Sequence, residues 1–302
     1  MGPKIEISVI VPHLNQPEDL ARCLASLAAQ ARQPDEVVVV DNGSPNLPES
    51  VCAMYPNVRL LLETTPGPGP ARNLGVRVAR GDILAFIDAD CLADSNWLAT
   101  AEQELLDLEA NILGGDVRIA YAKPSRITSL EAYESIYSYR MDRYIEREGF
   151  TGTGNLVVQK EVMERVGPFA GISVAEDRDW GHRATGQGYR IRYVAGMRVY
   201  HPARRQFAQL KAKWDRHIAH DFVAAREVPF GRARFFFKAL VMTLSPFGEI
   251  PRVLTSDRIS GFGVRLRAFV ALVRIRSYRA WVMVQLLCGR NPLYFSGRWN
   301  RS

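Results

Sequence analysis

Residues 81–97 read GDILAFIDADCLADSNW. An apolar run from Ile83 to Ile87, suited to a buried strand, ends in two carboxylates, Asp88 and Asp90, with only Ala89 between them. Two acids at one strand end repel each other, and each is driven toward its neutral form unless positive charge lies close. A hard divalent cation, Mg2+ or Mn2+, answers that need, because it takes oxygen ligands, often only one or two from protein and the rest from phosphate and water. A turn aspartate followed by a helix cap is the competing reading of so short a pattern.

Outward from this stretch, the first two hundred residues alternate strand-like and helix-like patterns, which predicts an α/β fold with a mostly parallel sheet flanked by helices. IEISVIV is a buried strand. Leu20, Cys23, Leu24, Leu27, Ala28 and Ala31 then recur at helical spacing behind Pro17. EVVVV, with Asp41 just past its last valine, and VRLLL are the next strands, and ARNLGVRVA is a helix leading into ILAFI. Asp41 and the Asp88/Asp90 pair thus follow the carboxyl ends of strands, where open α/β sheets bind ligands. Neither GxGxxG after the first strand nor GxxxxGK[ST] occurs, which argues against a dinucleotide fingerprint or a P-loop.

Further along, ILGGDVRIA reads as a strand and residues 129–148, SLEAYESIYSYRMDRYIERE, as one helix whose tyrosines 133, 137, 139 and 144 pack the core. TGTGNLVVQ is a glycine-punctuated strand, KEVMERVG a short helix and AEDRDWGHRATGQG a helix opened by acids, followed by two strands ending at His201.

Composition is that of a folded globular protein, with 47% hydrophobic and 24% charged residues in 302. The four cysteines, Cys23, Cys52, Cys91 and Cys288, show no CxxC or metal-site spacing and read as reduced thiols in a cytosolic protein. The amino-terminal MGPKIEISVIVP has no secretory signal pattern, and Glu6 stands where a myristoylation motif needs Ser or Thr. No apolar run reaches the roughly 18 residues of a membrane span. The net charge of +7 is uneven: residues 203–302 hold 19 Lys and Arg against 5 Asp and Glu, a net +14, leaving −7 for residues 1–202. Two domains are expected, 1–202 and a basic, mainly helical extension 203–302 that meets an anionic surface. In residues 264–288, Arg265, Arg276 and Arg279 share one helical face with Arg267 and Arg274 nearly opposite, a pattern that fits cations snorkelling toward lipid headgroups. No nucleic-acid motif accompanies the basic charge.

The ordered set SVIVPHLN, VVVVDNGS, GPARNLG, FIDAD, GTGNLVVQK, VGPF and AEDRDWGHR, between about Ile5 and His201, resembles the family 2 glycosyltransferases. That resemblance implies the Rossmann-like GT-A fold and transfer of a sugar from a nucleotide diphosphate to an acceptor hydroxyl with inversion. It implies nucleotide contacts from Pro12, Asn15, Asp41, Arg72, Asp88 and Ala89, with Asp41 on the base, usually uracil, and Arg72 near the diphosphate. It also implies Asp90 as the direct metal ligand, Asp88 toward ribose or metal-bound water, His201 on the metal or diphosphate, and Asp177 as catalytic base with Glu176 beside it. Trp180, next to that base, is a platform on which an acceptor sugar can stack. His13-Leu14 stands where Thr-Tyr is common in the family, which leaves base selectivity open.

Each assignment has a plainer competitor. Asp177 and Asp179 can serve as helix N-terminal charges, Trp180 as core, His201 as a structural histidine and Asp41 as the cap of the NGSP turn. The expected partners are a nucleotide-sugar donor, a lipid-linked or polysaccharide-precursor acceptor and, through the basic tail, the inner face of a membrane approached from the cytoplasm. A binding module that senses a nucleotide sugar without turnover is the alternative. A phosphatase with an aspartate nucleophile leaves VDNGS and AED unexplained.

Overall fold

The apolar run before the paired aspartates is a fully buried strand between two others, in a computed structural model describing residues 5–106, 110–172 and 174–296. The first four residues of the amino-terminal stretch and residues 297–302 of the extension lie outside the described residues. The chain runs β1 (Ile7–His13), α1 (Pro17–Ala28), β2 (Glu36–Asp41), α2 (Glu49–Cys52), β3 (Val58–Leu62), α3 (Pro68–Val78), β4 (Ile83–Phe86), β5 (Leu92–Ala93), α4 (Trp97–Leu105) and β6 (Ile112–Ala120). It continues through α5 (Ser129–Tyr137), α6 (Met141–Arg143), β7 (Leu156–Gln159), α7 (Lys160–Val166), α8 (Glu176–Gly186) and β8 (Ile191–Pro202). Five helices follow: α9 (Phe207–Arg226), α10 (Gly231–Gly248), α11 (Ile250–Thr255), α12 (Phe262–Leu287) and α13 (Leu293–Ser296).

The residues divide into two compact units, 1–120 with 139–202, and 121–138 with 203–302. The first is an eight-stranded sheet of order β3-β2-β1-β4-β7-β6-β8-β5. Pairing is parallel through β3-β2-β1-β4 and between β6 and β8, and antiparallel at β4-β7, β7-β6 and β8-β5. Every residue of β2 is buried, as continuous valine predicts for an interior parallel strand covered on both faces. Because β2 and β3 lie to one side of β1 and β4 to the other, the winding reverses at β1. That reversal opens a crevice at the carboxyl ends of β1 and β4, where the chain delivers His13, Asp88 and Asp90.

Three expectations need correction. Residues 129–148 are not one helix: Ser138 is extended and Tyr139 is left-handed at φ 51°, which ends α5. The stretch divides between the units, with Ala132 and Ile136 packing beside Val253, Ile259 and Ala268 in the second, and Met141 lying against Thr151 and Gly152 in the first. The extension therefore takes in residues 121–138 as well as 203–302. The two strands expected before His201 are one, β8, whose register against β6 jumps between Gly115 and Asp116. Asn155 is the reason, since its amide donates to the carbonyls of both Asp116 and Met197 and holds the bulge open.

In the second unit, four of the arginines expected to point toward headgroups also make contacts within the unit. Arg265 donates to the carbonyls of Val253 and Ser256, and Arg276 to Ser245 Oγ and Glu249. Arg279 lies 3.6 Å from the Trp214 ring centre and Arg274 4.1 Å from that of Phe207. Burial lowers the pKa of Arg279 to about 10. These cations knit the unit internally.

Close approach of α3 to the sheet rests on Gly75, where an added Cβ would lie 2.5 Å from Ile10 Cγ2. Gly→Ala inside a helix is normally stabilising by about 1 kcal/mol. Here Gly75→Ala is expected to destabilise by about 1–3 kcal/mol through overpacking, read from urea unfolding; a stabilised variant would contradict this packing.

Candidate active site

The crevice gathers carboxylates from three separate segments. Asp88 follows β4, and Glu176 and Asp177 open α8. Arg72, on the buried face of α3, joins two of these: Nη2 donates to Asp88 Oδ1 at 2.6 Å and Nη1 to Glu176 Oε1 at 2.8 Å. The Arg72 side chain is only 4% exposed, and its Nε is buried with no hydrogen-bond partner. The guanidinium thus neutralises both acids and retains an unused donor within the site. Gly154 lies against Asp88, since a Cβ there would come within 2.7 Å of Oδ2.

Asp90 meets a different partner. Its Oδ2 is 3.5 Å from His201 Nε2, and both side chains are 21% exposed. Burial, outweighing the attraction of His201 and reinforced by Asp88, raises the Asp90 pKa. His201 Nδ1 lies 2.7 Å from the Pro202 carbonyl, which can only accept, so Nδ1 carries the proton and Nε2 presents its lone pair. The Tyr139 hydroxyl lies 3.0 Å from Nε2 and 3.2 Å from Nδ1, with the two rings packed 4.5 Å apart.

Asp90, Cys91 and His201 each offer a ligand atom within 4.8 Å of the others. The donor chemistry selects two of the three. Cys91 is buried and its thiol pKa is raised well above the ordinary value by burial and then by Asp88 and Asp90, so it stays S–H. A carboxylate oxygen beside an imidazole whose far nitrogen is tied to a carbonyl is a fitting pair of protein ligands for a divalent cation.

Asp177 is half-buried at the first turn of α8, with Oδ1 accepting from the Arg178 amide at 2.7 Å and Oδ2 over Gly152. Burial, opposed by the Arg178 amide and reinforced by Glu176, raises its pKa above the ordinary aspartate value.

Other sequence-predicted residues lie differently. Pro12 is half-buried in β1, Asn15 is exposed just beyond it at φ 56°, and Ala89 is buried. Asp41 is fully enclosed: Oδ1 accepts from the Gly43 and Ser44 amides and Oδ2 contacts His13 Nδ1 at 2.8 Å. Burial would raise its pKa, but the Ser44, His13 and Gly43 hydrogen bonds outweigh that and lower it. Asp41 thus caps its own turn and is tied to His13. Trp180 is 1% exposed, between Phe169 and the core, and donates to the Gly167 carbonyl; it offers no face to an acceptor. Sequence reasoning missed the role of Tyr139, which sits in a tyrosine-rich stretch without the glycine or proline that marks a break, and the tie between His13 and Asp41.

The model of glycosyl transferase family 2 matches residues 8–179, more than half of the chain. This chain belongs to glycosyltransferase family 2. The glycosyltransferase AglE of Haloferax volcanii is 33% identical over 215 residues, covering 68% of this chain and 70% of AglE. Among solved structures, the mannosyltransferase PcManGT from Pyrobaculum calidifontis, in complex with GDP-Man and Mn2+, aligns over 100% of this chain and 89% of its own with TM-score 0.56 and 19% identity. Glucosyl-3-phosphoglycerate synthase from Mycobacterium tuberculosis, in complex with Mn2+, UDP and phosphoglyceric acid, aligns over 71% and 76% with TM-score 0.51 and 21% identity. These likenesses show a GT-A fold, as expected, and the enzyme is a glycosyltransferase.

Replacing Arg72 of this glycosyltransferase by Ala leaves Asp88 and Glu176 facing one another without their shared cation. Because both carboxylates keep some solvent, the expected loss is about 1–3 kcal/mol, below the roughly 3–5 of a fully buried pair. Urea unfolding reads it, and unchanged stability would contradict the clamp.

Proposed function

We propose that this glycosyltransferase moves a sugar from a nucleoside diphosphate to an acceptor hydroxyl with inversion at the anomeric carbon, and that it depends on Mg2+ or Mn2+. The observation that carries the proposal is Asp177, a half-buried carboxylate of raised pKa on the same helix turn as Glu176, which Arg72 anchors. The acceptor O–H proton passes to the Asp177 carboxylate while the oxygen bonds to the anomeric carbon. The bond from that carbon to the phosphate oxygen breaks, and its electron pair leaves with the diphosphate. Attack opposite the leaving group inverts the centre. Glu176, held at 2.8 Å by Arg72, fixes the first turn of α8 and so positions Asp177.

Arg72 Nε, the unused donor, suits a diphosphate oxygen. Asp90 and His201 would hold the divalent cation, which supplies positive charge against the diphosphate as it departs. Asp88, already paired with Arg72, is left for the ribose or a water. Asp41, at the end of β2 and tied to its own turn and to His13, is the residue assigned to the nucleotide base; the donor is assigned as a nucleoside diphosphate sugar, uridine being the base the family resemblance implies. A lipid-linked or polysaccharide-precursor glycan at the cytoplasmic face of a membrane is the acceptor class that fits the +14 extension. No helix among the described residues is long and apolar enough to cross a membrane. A module that binds without turnover gives no reason for a carboxylate placed and perturbed like Asp177.

Asp177→Asn is expected to lower turnover by about 10²–10⁴-fold while nucleotide binding, followed by calorimetry, persists. Retained turnover would remove Asp177 from the mechanism. With Asp177 as base, wild-type kcat rises with pH through the raised pKa, so its acid limb lies above the ordinary aspartate value; a pH profile with that limb at or below it would contradict the assignment. Chelation should abolish transfer and added Mn2+ restore it, and chelator-insensitive transfer would exclude the role given to Asp90 and His201.

A further inference from the structure

A helix lying on a protein surface normally turns charged and polar residues to the solvent. Helix α10 does the reverse. Its packed side carries Phe235, Ala239, Met242 and Pro246, all buried. On the opposite side, Ala233, Phe237, Leu240, Val241, Leu244 and Phe247 fall within an arc of about 120° at 100° per residue, with no charged residue among them. Phe237 and Leu244 are 63% and 68% exposed. Helix α12, which packs against α10, repeats the arrangement: its solvent side carries Leu266, Val270, Val273, Trp281 and Val284. Phe230, in the turn before α10, is 83% exposed and left-handed at φ 57°, a conformation that costs a non-glycine residue energy and here holds an aromatic ring in the open.

We propose that the exposed faces of α10 and α12 are a docking surface for an anionic lipid bilayer, entered by these apolar side chains to interfacial depth. Charge decides the occupant. Arg234 borders the α10 stripe, and exposed Arg267 borders that of α12, in a segment of net +14. In an isologous pairing of two copies these borders would confront like charge, whereas an anionic leaflet satisfies both the apolar stripes and their cationic margins. Neither helix is apolar enough to span a bilayer, so the surface lies along the interface. The arginines that hold the unit together are separate from this margin: the work of insertion belongs to Phe, Leu, Val and Trp. The inference is independent of the transfer chemistry, because it rests on residues outside the candidate active site.

Flotation of the full chain with phosphatidylcholine vesicles containing phosphatidylglycerol tests it, with pure phosphatidylcholine vesicles alongside. The wild type is expected to float with the anionic vesicles, and Phe237→Glu and Leu244→Glu each to lower that partitioning about tenfold or more. Val270→Glu is expected to act likewise from α12, while Met54→Glu, an exposed apolar position in the other unit, leaves flotation unchanged. Circular dichroism and thermal unfolding of each variant establish that the fold is retained. Loss of flotation in high salt with no effect of the glutamate substitutions would reduce the contact to surface charge and overturn the proposal. Absence of flotation, or sedimentation showing a dimer that the same substitutions dissociate, would overturn it as well.

Discussion

A single guanidinium holds the catalytic edge together. Arg72 comes from the helix after β3, Asp88 from the end of β4 and Glu176 from the start of α8, and the last two lie 16 and 104 residues along the chain from it. Without a cation in that position, two carboxylates would repel one another across the crevice. With it, the first turn of α8 is pinned beside the carboxyl ends of the sheet. Because Glu176 is pinned, Asp177 has a defined place; because Asp88 is pinned, Asp90 is left to a different partner.

The acids at the end of β4 are therefore treated unequally. Asp88 is neutralised permanently, by a residue that cannot lose its proton. Asp90 has no guanidinium partner among the described residues, and its Oδ2 lies 3.5 Å from His201 Nε2. One carboxylate is thus structural and the other has capacity for an incoming cation. Asp177 shows the third possibility, a carboxylate that Arg72 does not bond and whose pKa is raised by burial and by Glu176.

How much of this the sequence discloses follows from the range of the interactions. Continuous valine in β2, the apolar run of β4 and the helical spacing of Leu20 to Leu27 are local signals, and each element forms where its pattern places it. The gathering of Arg72, Asp88 and Glu176 depends on how the winding reverses at β1, so it was reachable only through the resemblance and not through spacing. Tyr139 was hidden because a left-handed tyrosine leaves no compositional mark, and the division between the two units falls at that residue. Asp41 carried two readings because an aspartate after a strand looks the same whether it caps a turn or meets a ligand, and its turn bonds and its tie to His13 appear only in the fold. Trp180 carried two readings, core and acceptor platform, because a helix opened by acids gives no sign of which side faces the core, and the ring is buried.

The central claim is that a divalent cation binds at Asp90 and His201 beside acids already organised by Arg72. Pulsed electron paramagnetic resonance of Mn2+ bound to the enzyme with a nucleoside diphosphate tests it most directly. The account predicts a nitrogen coupling from one histidine that disappears in His201→Gln. Mn2+ bound with no histidine nitrogen coupling, or with a coupling that survives that substitution, would contradict it.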